Sequence, residues 1–208
     1  MSNRREKIAY HYKNSGLLGL FRKIIEYASH IIWSQERWLI YERTLDGENS
    51  SQSATIERRE LGLNELVDLG YFKARDYHQV IKSRIESGNI CHGFFAQESL
   101  VTIGWSSPDY LELDTDFRIS CPGSVGLYDF VTCSEFRSKG YYTSALVQLL
   151  NVMRQRGYEK ALIAVAPNNT PSIKGIERAG FQQAVVFMRF RRFGAQKIGR
   201  EEKAANSL

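Results

Sequence analysis

A chain of 208 residues, 43% hydrophobic and 25% charged, is long and apolar enough for one soluble globular domain with some added decoration. Its formal charge of +5 suits an acidic ligand, but no aromatic nucleic-acid motif or zinc-finger spacing accompanies it, so no nucleic-acid partner is expected. No apolar run reaches the roughly 18 residues that a membrane span needs. Tyr10 to Asn14 interrupt any early apolar stretch, so no signal peptide is predicted. Cys91, Cys121 and Cys133 are odd in number and widely spaced, which fits a reduced, cytoplasmic setting. His11, His30, His78 and His92 have no ligand spacing, and no metal is expected.

Residues 1–33 open basic and turn apolar, with Leu17, Leu18, Leu20, Phe21, Ile24 and Ile25 at helical spacing. Two readings of this amphipathic helix stay open: packing on the domain or a partner subunit, or peripheral contact with a membrane surface. Arg37 to Leu45 reads as a first strand, and Asp46 to Ala54 as a polar loop. Leu63 to Ser87 reads as two helical pieces broken near Leu69–Gly70, stopped by Gly88–Asn89. Ile90 to Gln97 and Leu100 to Ser106 are predicted strands joined at Glu98–Ser99. A further strand runs from Gly126 to Cys133.

Gly140 to Arg156 reads as a helix with Leu146, Leu149, Leu150 and Met153 inward and Gly157 at its end. Ala161 to Ala166 is wholly apolar, as a central buried strand would be. Thr170 as N-cap with Pro171 in the first turn opens a helix that Gly180 closes. Gln183 to Phe193 is the last predicted strand, and the tail after Gly194 reads as frayed. The expected division is a helical extension over 1–35, one α/β domain over 36–194, and a flexible polar tail over 195–208.

The chemistry concentrates where the strand ending at Cys133 meets the helix after Gly140. A helix start presents unpaired N–H groups and the positive end of the dipole. Successive amides from Ser138 through Lys139, Gly140 and Tyr141 to Tyr142 could cradle a pyrophosphate, with Arg137 and Lys139 adding charge. Gly140 lets the backbone come close to a phosphate.

Phe136-Arg137-Ser138-Lys139-Gly140-Tyr141-Tyr142 resembles the acyl-CoA loop of the GNAT superfamily, the GCN5-related N-acetyltransferases. Asn169-Thr170-Pro171-Ser172, followed by Ala179-Gly180-Phe181, resembles that family's second signature. Tyr142 stands where the family usually has a small residue. The resemblance spans Arg37 to Phe193 and leaves out residues 1–33. It implies an α/β fold: a mixed, mostly antiparallel sheet with splayed central strands and flanking helices, to which the N-terminal helix is added. The pantetheine arm would enter between the splayed strands, and backbone N–H groups around Phe130, Val131 and Thr132 would polarise the thioester carbonyl. Asn169 and Ser172 would touch the pantetheine arm or the leaving thiol.

The resemblance implies direct acyl transfer from acetyl-CoA to an amine, with a base for the amine and an acid for the thiolate. The family's tyrosine acid falls at Ile176, which cannot donate a proton. Asp129 is the expected base, Tyr128 the polar group beside it, and Glu135 a weaker candidate. Tyr41, Trp105 and Tyr110 are candidates to line an acceptor pocket or plain core. The expected acceptor is a small-molecule amine, with a nucleotide-linked amino sugar of surface-glycan synthesis as the preferred guess. Two alternatives stand beside it: acetylation of a protein or peptide amine, and a non-catalytic acyl-CoA-binding module. An exposed sheet edge offers a homodimer through the last strand or the first helix.

Overall fold

The structure is a computed structural model, and it describes residues 33–47, 55–68, 75–114, 117–192 and 195–202. The helix expected over 1–33, most of the 46–54 loop and the break at Leu69–Gly70 lie outside those residues. The described chain divides into two compact units, residues 38–185 with Glu202, and residues 33–37 with 186–201.

The elements in order are β1 (Trp33–Thr44), β2 (Glu57–Leu61), α1 (Leu63–Asp68), α2 (Arg75–Glu86), β3 (Ile90–Ala96), β4 (Ser99–Asp114), β5 (Phe117–Thr132), a 3-10 turn (Ser134–Phe136), α3 (Tyr141–Gln155), β6 (Lys160–Val165), α4 (Thr170–Arg178), β7 (Gln182–Arg192) and β8 (Ala195–Glu202). Within the larger unit the strands lie in the order β2-β3-β4-β5-β6-β1. The β5–β6 pair is parallel, and the β2–β3, β3–β4, β4–β5 and β1–β6 pairs are antiparallel. This is the mixed, mostly antiparallel sheet expected from the sequence.

β6 is central because it has a partner on each side, which explains its apolar run of Ala161, Leu162, Ile163, Ala164 and Val165. The predicted inner face of α3 is buried in full, with Leu146, Leu149, Leu150 and Met153 packed among Leu127, Val125 and Ile163. Ile176, from α4, joins the same cluster with no exposed surface.

Three expectations change. The short strand β2 was not legible, because Glu57-Arg58-Arg59-Glu60 reads as a charged turn; those charges suit a strand at the edge of the sheet. β4 and β5 are 16 residues each, far longer than the predicted Leu100–Ser106 and Gly126–Cys133. Finally, residues 195–202, expected as frayed tail, form the strand β8. In the smaller unit, the wholly buried Arg189 of β7 donates through Nε to Glu36 of β1.

The β4–β5 pair is bent rather than straight, and that bend builds the site. Between the pairs Pro108–Val125 and Tyr110–Ser120, β4 spends one residue while β5 spends four. Asp109 takes a left-handed φ of 60°, and its Oδ1 accepts from the amide of Gly123 at 2.8 Å. Ser107 Oγ donates to the Tyr110 carbonyl at 2.6 Å. The outer arm crosses so close to β5 that a Cβ on Gly126 would lie 2.1 Å from the Tyr110 carbonyl oxygen.

Candidate active site

β5 and β6 run together only from Ser124–Lys160 to Leu127–Ile163, after which β5 continues to Thr132 with β4 as its partner. The two parallel strands therefore part where Tyr128 begins. At the same point β5 carries a bulge: Trp105 faces Tyr128 and Ile103 faces Val131, leaving Asp129 and Phe130 opposite the single residue Gly104. Asp129 has a φ of 53°, a left-handed conformation that aspartate tolerates better than most residues. The ring of Phe130 lies across Gly104, where a Cβ would meet it at 2.4 Å.

The parting opens a cleft of about 240 Å³. Tyr128, Asp129 and Phe130 line one wall, and Ile163 to Ala166 the other. Trp38, Glu112, Leu113, Tyr142, Asn169 and Ser172 complete the lining.

At one end of the cleft β5 gives way to the 3-10 turn and then to α3. The turn uses the amides of Phe136 and Arg137, which donate to Cys133 and Ser134 carbonyls at 2.9 and 3.4 Å. Ser144 is the first amide to join the helix, donating to Gly140 at 3.0 Å. Among the described residues, no group accepts from the amides of Ser138, Lys139, Gly140, Tyr141, Tyr142 or Thr143. Gly140 is the N-cap and has a φ of 83°, so glycine is needed there for the backbone conformation itself. A Cβ at Gly140 would meet open space. Arg137 Nε donates back to the Thr132 carbonyl at 3.2 Å, and Lys139 Nζ sits 5.5 Å from the centre of the Phe136 ring.

Tyr142 does not point away from the core. Its ring meets Phe130 edge-on at 5.7 Å and covers Gly175 of α4, where a Cβ would lie 2.5 Å from Tyr142 Cδ1. Burial raises the pKa of its hydroxyl above that of an ordinary phenol. Across the cleft, Asn169 rather than Thr170 caps α4: its Oδ1 accepts from the amide of Ser172 at 3.3 Å. Thr170 and Pro171 are the first two helical residues.

The other end holds a charged cluster. Arg84 of α2 is only 5% exposed, yet it binds two carboxylates. Its Nη1 donates to Asp129 Oδ2 at 2.7 Å, and its Nε and Nη2 donate to Glu112 Oε1 at 3.0 and 2.5 Å. The guanidinium lies over the rings of Tyr128 and Trp105, 4.9 and 5.1 Å from their centres. Burial alone would lower the Arg84 pKa, but the hydrogen bond to Asp129 and its other partners outweigh that and hold it above the usual arginine range. Burial likewise raises the Tyr128 pKa. The Tyr128 hydroxyl accepts from Asn89 Nδ2 at 2.9 Å, and Tyr110 donates to Asn89 Oδ1 at 2.5 Å.

Asp129 and Tyr128 thus lie in the cleft, but the Asp129 carboxylate is tied to Arg84. Phe130, Asn169 and Ser172 also line the cleft, and Val131 and Thr132 continue β5 towards the turn. Glu135 sits on the exposed turn outside the lining. Tyr41, Trp105 and Tyr110 do not line it either: Tyr41 donates to Glu177, Trp105 is fully buried, and Tyr110 serves Asn89. Sequence reasoning missed Arg84, Glu112, Gly104, Gly126 and Gly175. Arg84 falls three residues after Ile81 on the apolar face of α2, and the glycines interrupt strands or a helix; both are signals of an unusual contact.

The sequence matches the Acetyltransferase (GNAT) family over residues 72–181. No curated protein matches it in sequence. Among solved structures, it is similar to a GNAT-family acetyltransferase from Colwellia psychrerythraea, with a TM-score of 0.50 at 16% identity over 82% of this chain and 57% of that one. A GCN5-related N-acetyltransferase-like protein from Streptococcus suis gives a TM-score of 0.50 at 10% identity, over 86% of this chain and 68% of that one. A glucosamine N-acetyltransferase region of a fungal multi-domain β-N-acetylglucosaminidase gives 0.55 at 14% identity, over 86% of this chain and 23% of that one. The chain therefore spans less than two thirds of the Colwellia and fungal proteins it resembles. Among the described residues there is no cluster of groups to hold a metal ion, and no helix long and apolar enough to cross a membrane.

Proposed function

Because this chain belongs to the GNAT acetyltransferase family, we propose that it transfers an acetyl group from acetyl-CoA to a small-molecule amine. The observation that carries this reading is the run of unpaired amides from Ser138 to Thr143, opening onto the cleft where β5 leaves β6. Six N–H groups at the positive end of a 15-residue helix suit the pyrophosphate of the donor. The cleft between the strands suits its pantetheine arm, and Asn169 and Ser172 stand beside that path. The bulge at Asp129–Phe130 interrupts the regular β4–β5 register beside the cleft, a place where the main chain would suit polarisation of the thioester carbonyl. Asp129 and Tyr128 belong to the acceptor end of the cleft, with Asp129 the groups' base candidate and Arg84 fixing its carboxylate.

Among the cleft's hydroxyls, that of Tyr128 accepts from Asn89, whereas that of Tyr142 has no hydrogen-bond partner among the described residues. Tyr142 is the better-placed donor to the leaving thiolate, since Ile176 is sealed in the core. An amino sugar, including a nucleotide-linked one, is the preferred acceptor; the fungal region that shares this fold is named for glucosamine.

Calorimetry with acetyl-CoA and a thiol-release assay over glucosamine, nucleotide-linked amino sugars and lysine peptides test the reading. Donor binding with thiol release on a sugar amine is expected. Release on peptides alone moves the acceptor to protein amines, and tight binding without release on any amine leaves a binding module. An absence of acetyl-CoA binding overturns the reading altogether.

A further inference from the structure

Gly104 of β4 and Gly175 of α4 are glycines for a reason other than backbone conformation, since neither has a left-handed φ. Each is covered by one aromatic ring. A Cβ on Gly104 would collide with the edge of Phe130, and a Cβ on Gly175 with the edge of Tyr142. The two rings, seated in these recesses, meet edge to face with centres 5.7 Å apart at an angle of 66°. Both line the cleft.

This aromatic wall has no room to retreat. The main chain of β4 lies against Phe130 and that of α4 against Tyr142, so movement of either ring into its recess meets backbone. Thr143 Oγ1 donates to the Gly175 carbonyl at 3.5 Å and ties α3 to α4 beside Tyr142. The opposite wall is fixed as well: Ile163 and Val165 belong to β6, which pairs there with Tyr41 and Leu39 of β1. The lining also includes Asp129 and Glu112, whose carboxylates share the buried Arg84. An alkyl chain pushed against them would strip charged groups of solvent.

We propose that the Phe130–Tyr142 pair is the stop that sets the length of the acyl group: acetyl and propionyl fit, and longer straight chains do not. Gly104 and Gly175 are the positioning residues, each giving its ring the recess without which the ring would stand further into the cleft. The inference rests on the acetyltransferase reading and adds to it the residues that choose the donor. In that reading the thioester carbonyl lies at the main chain of the Asp129–Phe130 bulge and the sulfur near the Tyr142 hydroxyl. The alkyl part of the acyl group therefore starts beside the two rings. Hydrophobic burial by itself favours longer chains, because each added methylene gains by leaving water. A preference for short ones needs a wall that does not move, and two rings backed by main chain supply it.

The test is calorimetric binding of CoA and of acetyl-, propionyl-, butanoyl- and hexanoyl-CoA, with no amine present, so that the outcome does not depend on the acceptor. The wild type should bind acetyl- and propionyl-CoA alike and hexanoyl-CoA about tenfold more weakly, as overpacking would give. Phe130→Ala should remove that penalty, so that hexanoyl-CoA binds at least as tightly as acetyl-CoA. Phe130→Leu, a smaller cut, should move the profile the same way by less, and supplies the comparison should the alanine variant fail to fold. Gly104→Ala pushes the ring in the other direction and should weaken propionyl-CoA about tenfold relative to CoA. Adding Phe130→Ala to Gly104→Ala should restore propionyl-CoA, which separates a displaced ring from a damaged fold. Hexanoyl-CoA bound by the wild type as tightly as acetyl-CoA overturns the stop and leaves the acetyltransferase reading standing, as does a length penalty that survives both Phe130 variants. Failure of the wild type to bind CoA or any acyl-CoA overturns the acetyltransferase reading and the stop with it.

Discussion

The two ends of the cleft are built in opposite ways. The end proposed for the donor's pyrophosphate is contiguous: Ser138 to Thr143 follow one another into the start of α3, and none of their amides is taken among the described residues. The opposite end, proposed for the acceptor, is assembled from Arg84 on α2, Glu112 on β4 and Asp129 on β5, 28 and 45 residues away from that arginine. A local site needs only a short loop with two left-handed residues, Ser138 and Gly140. A distributed site needs an arm bent over a glycine, a bulge and a buried ion cluster, each dependent on the others. The first can therefore be broken without harm to the fold, whereas the second is bound up with stability.

Replacing Arg84 is the most severe way to test this contrast. Arg84→Met leaves the buried Glu112 and the half-buried Asp129 without their shared cation, and should cost about 3–5 kcal/mol in denaturant unfolding. Retained stability would show that the cluster is hydrated and loosely held. Gly140→Val should weaken acetyl-CoA binding by about 100-fold, roughly 2.7 kcal/mol, by forcing the N-cap out of its left-handed conformation. Its unfolding free energy should change by only about 1–2 kcal/mol. Equal losses of stability from the two variants would erase the distinction between the ends.

A subtler change sharpens the contrast from the arm. Gly126→Ala sets a methyl against the Tyr110 carbonyl, and overpacking of this kind costs about 1–3 kcal/mol. It should raise KM for the amine while leaving acetyl-CoA affinity within about twofold of the wild type, as expected for sites that do not share partners. A parallel loss of acetyl-CoA affinity would mean that the arm supports both ends.

One effect belongs to neither end and emerges only on acidification. His92 on β3 is buried, and burial, with Arg58 and Arg156 nearby, lowers its pKa to about 3. Its Nδ1 faces Arg58 Nη1 at 3.0 Å, so Nε2 donates to Ser106 Oγ at 2.8 Å. The unfolded chain takes up this proton near pH 6.5 and the folded one only near 3, so stability falls as pH drops between those values. The slope is at most about 1.4 kcal/mol per pH unit. His92→Gln should flatten that part of the stability profile, and an unchanged slope would assign acid sensitivity to other groups.

The two ends were also unequally legible. The loop from Phe136 to Tyr142, the inward face of α3 and the central apolar strand β6 could be read directly, because each is specified by neighbours within one or two turns or by strict burial on both sides. Arg84 could not be read as a ligand for Asp129 and Glu112, since charge on a helix face ordinarily meets water. The length of β5 was hidden by Pro122 and Gly123, which look like a break and are instead a bulged stretch of the bent arm. Residues 195–202 looked frayed because their polarity gives no periodic signal, yet they form a strand.

What the amino-acid order determined by itself is the run of open amides: a helix start leaves successive amides unpaired wherever that helix packs. What only the tertiary structure decided is the charged cluster at the other end of the cleft. Which carboxylates share the buried Arg84 guanidinium depends on how three distant segments meet, and the bend of the β4–β5 arm across Gly126 sets where β4 brings Glu112.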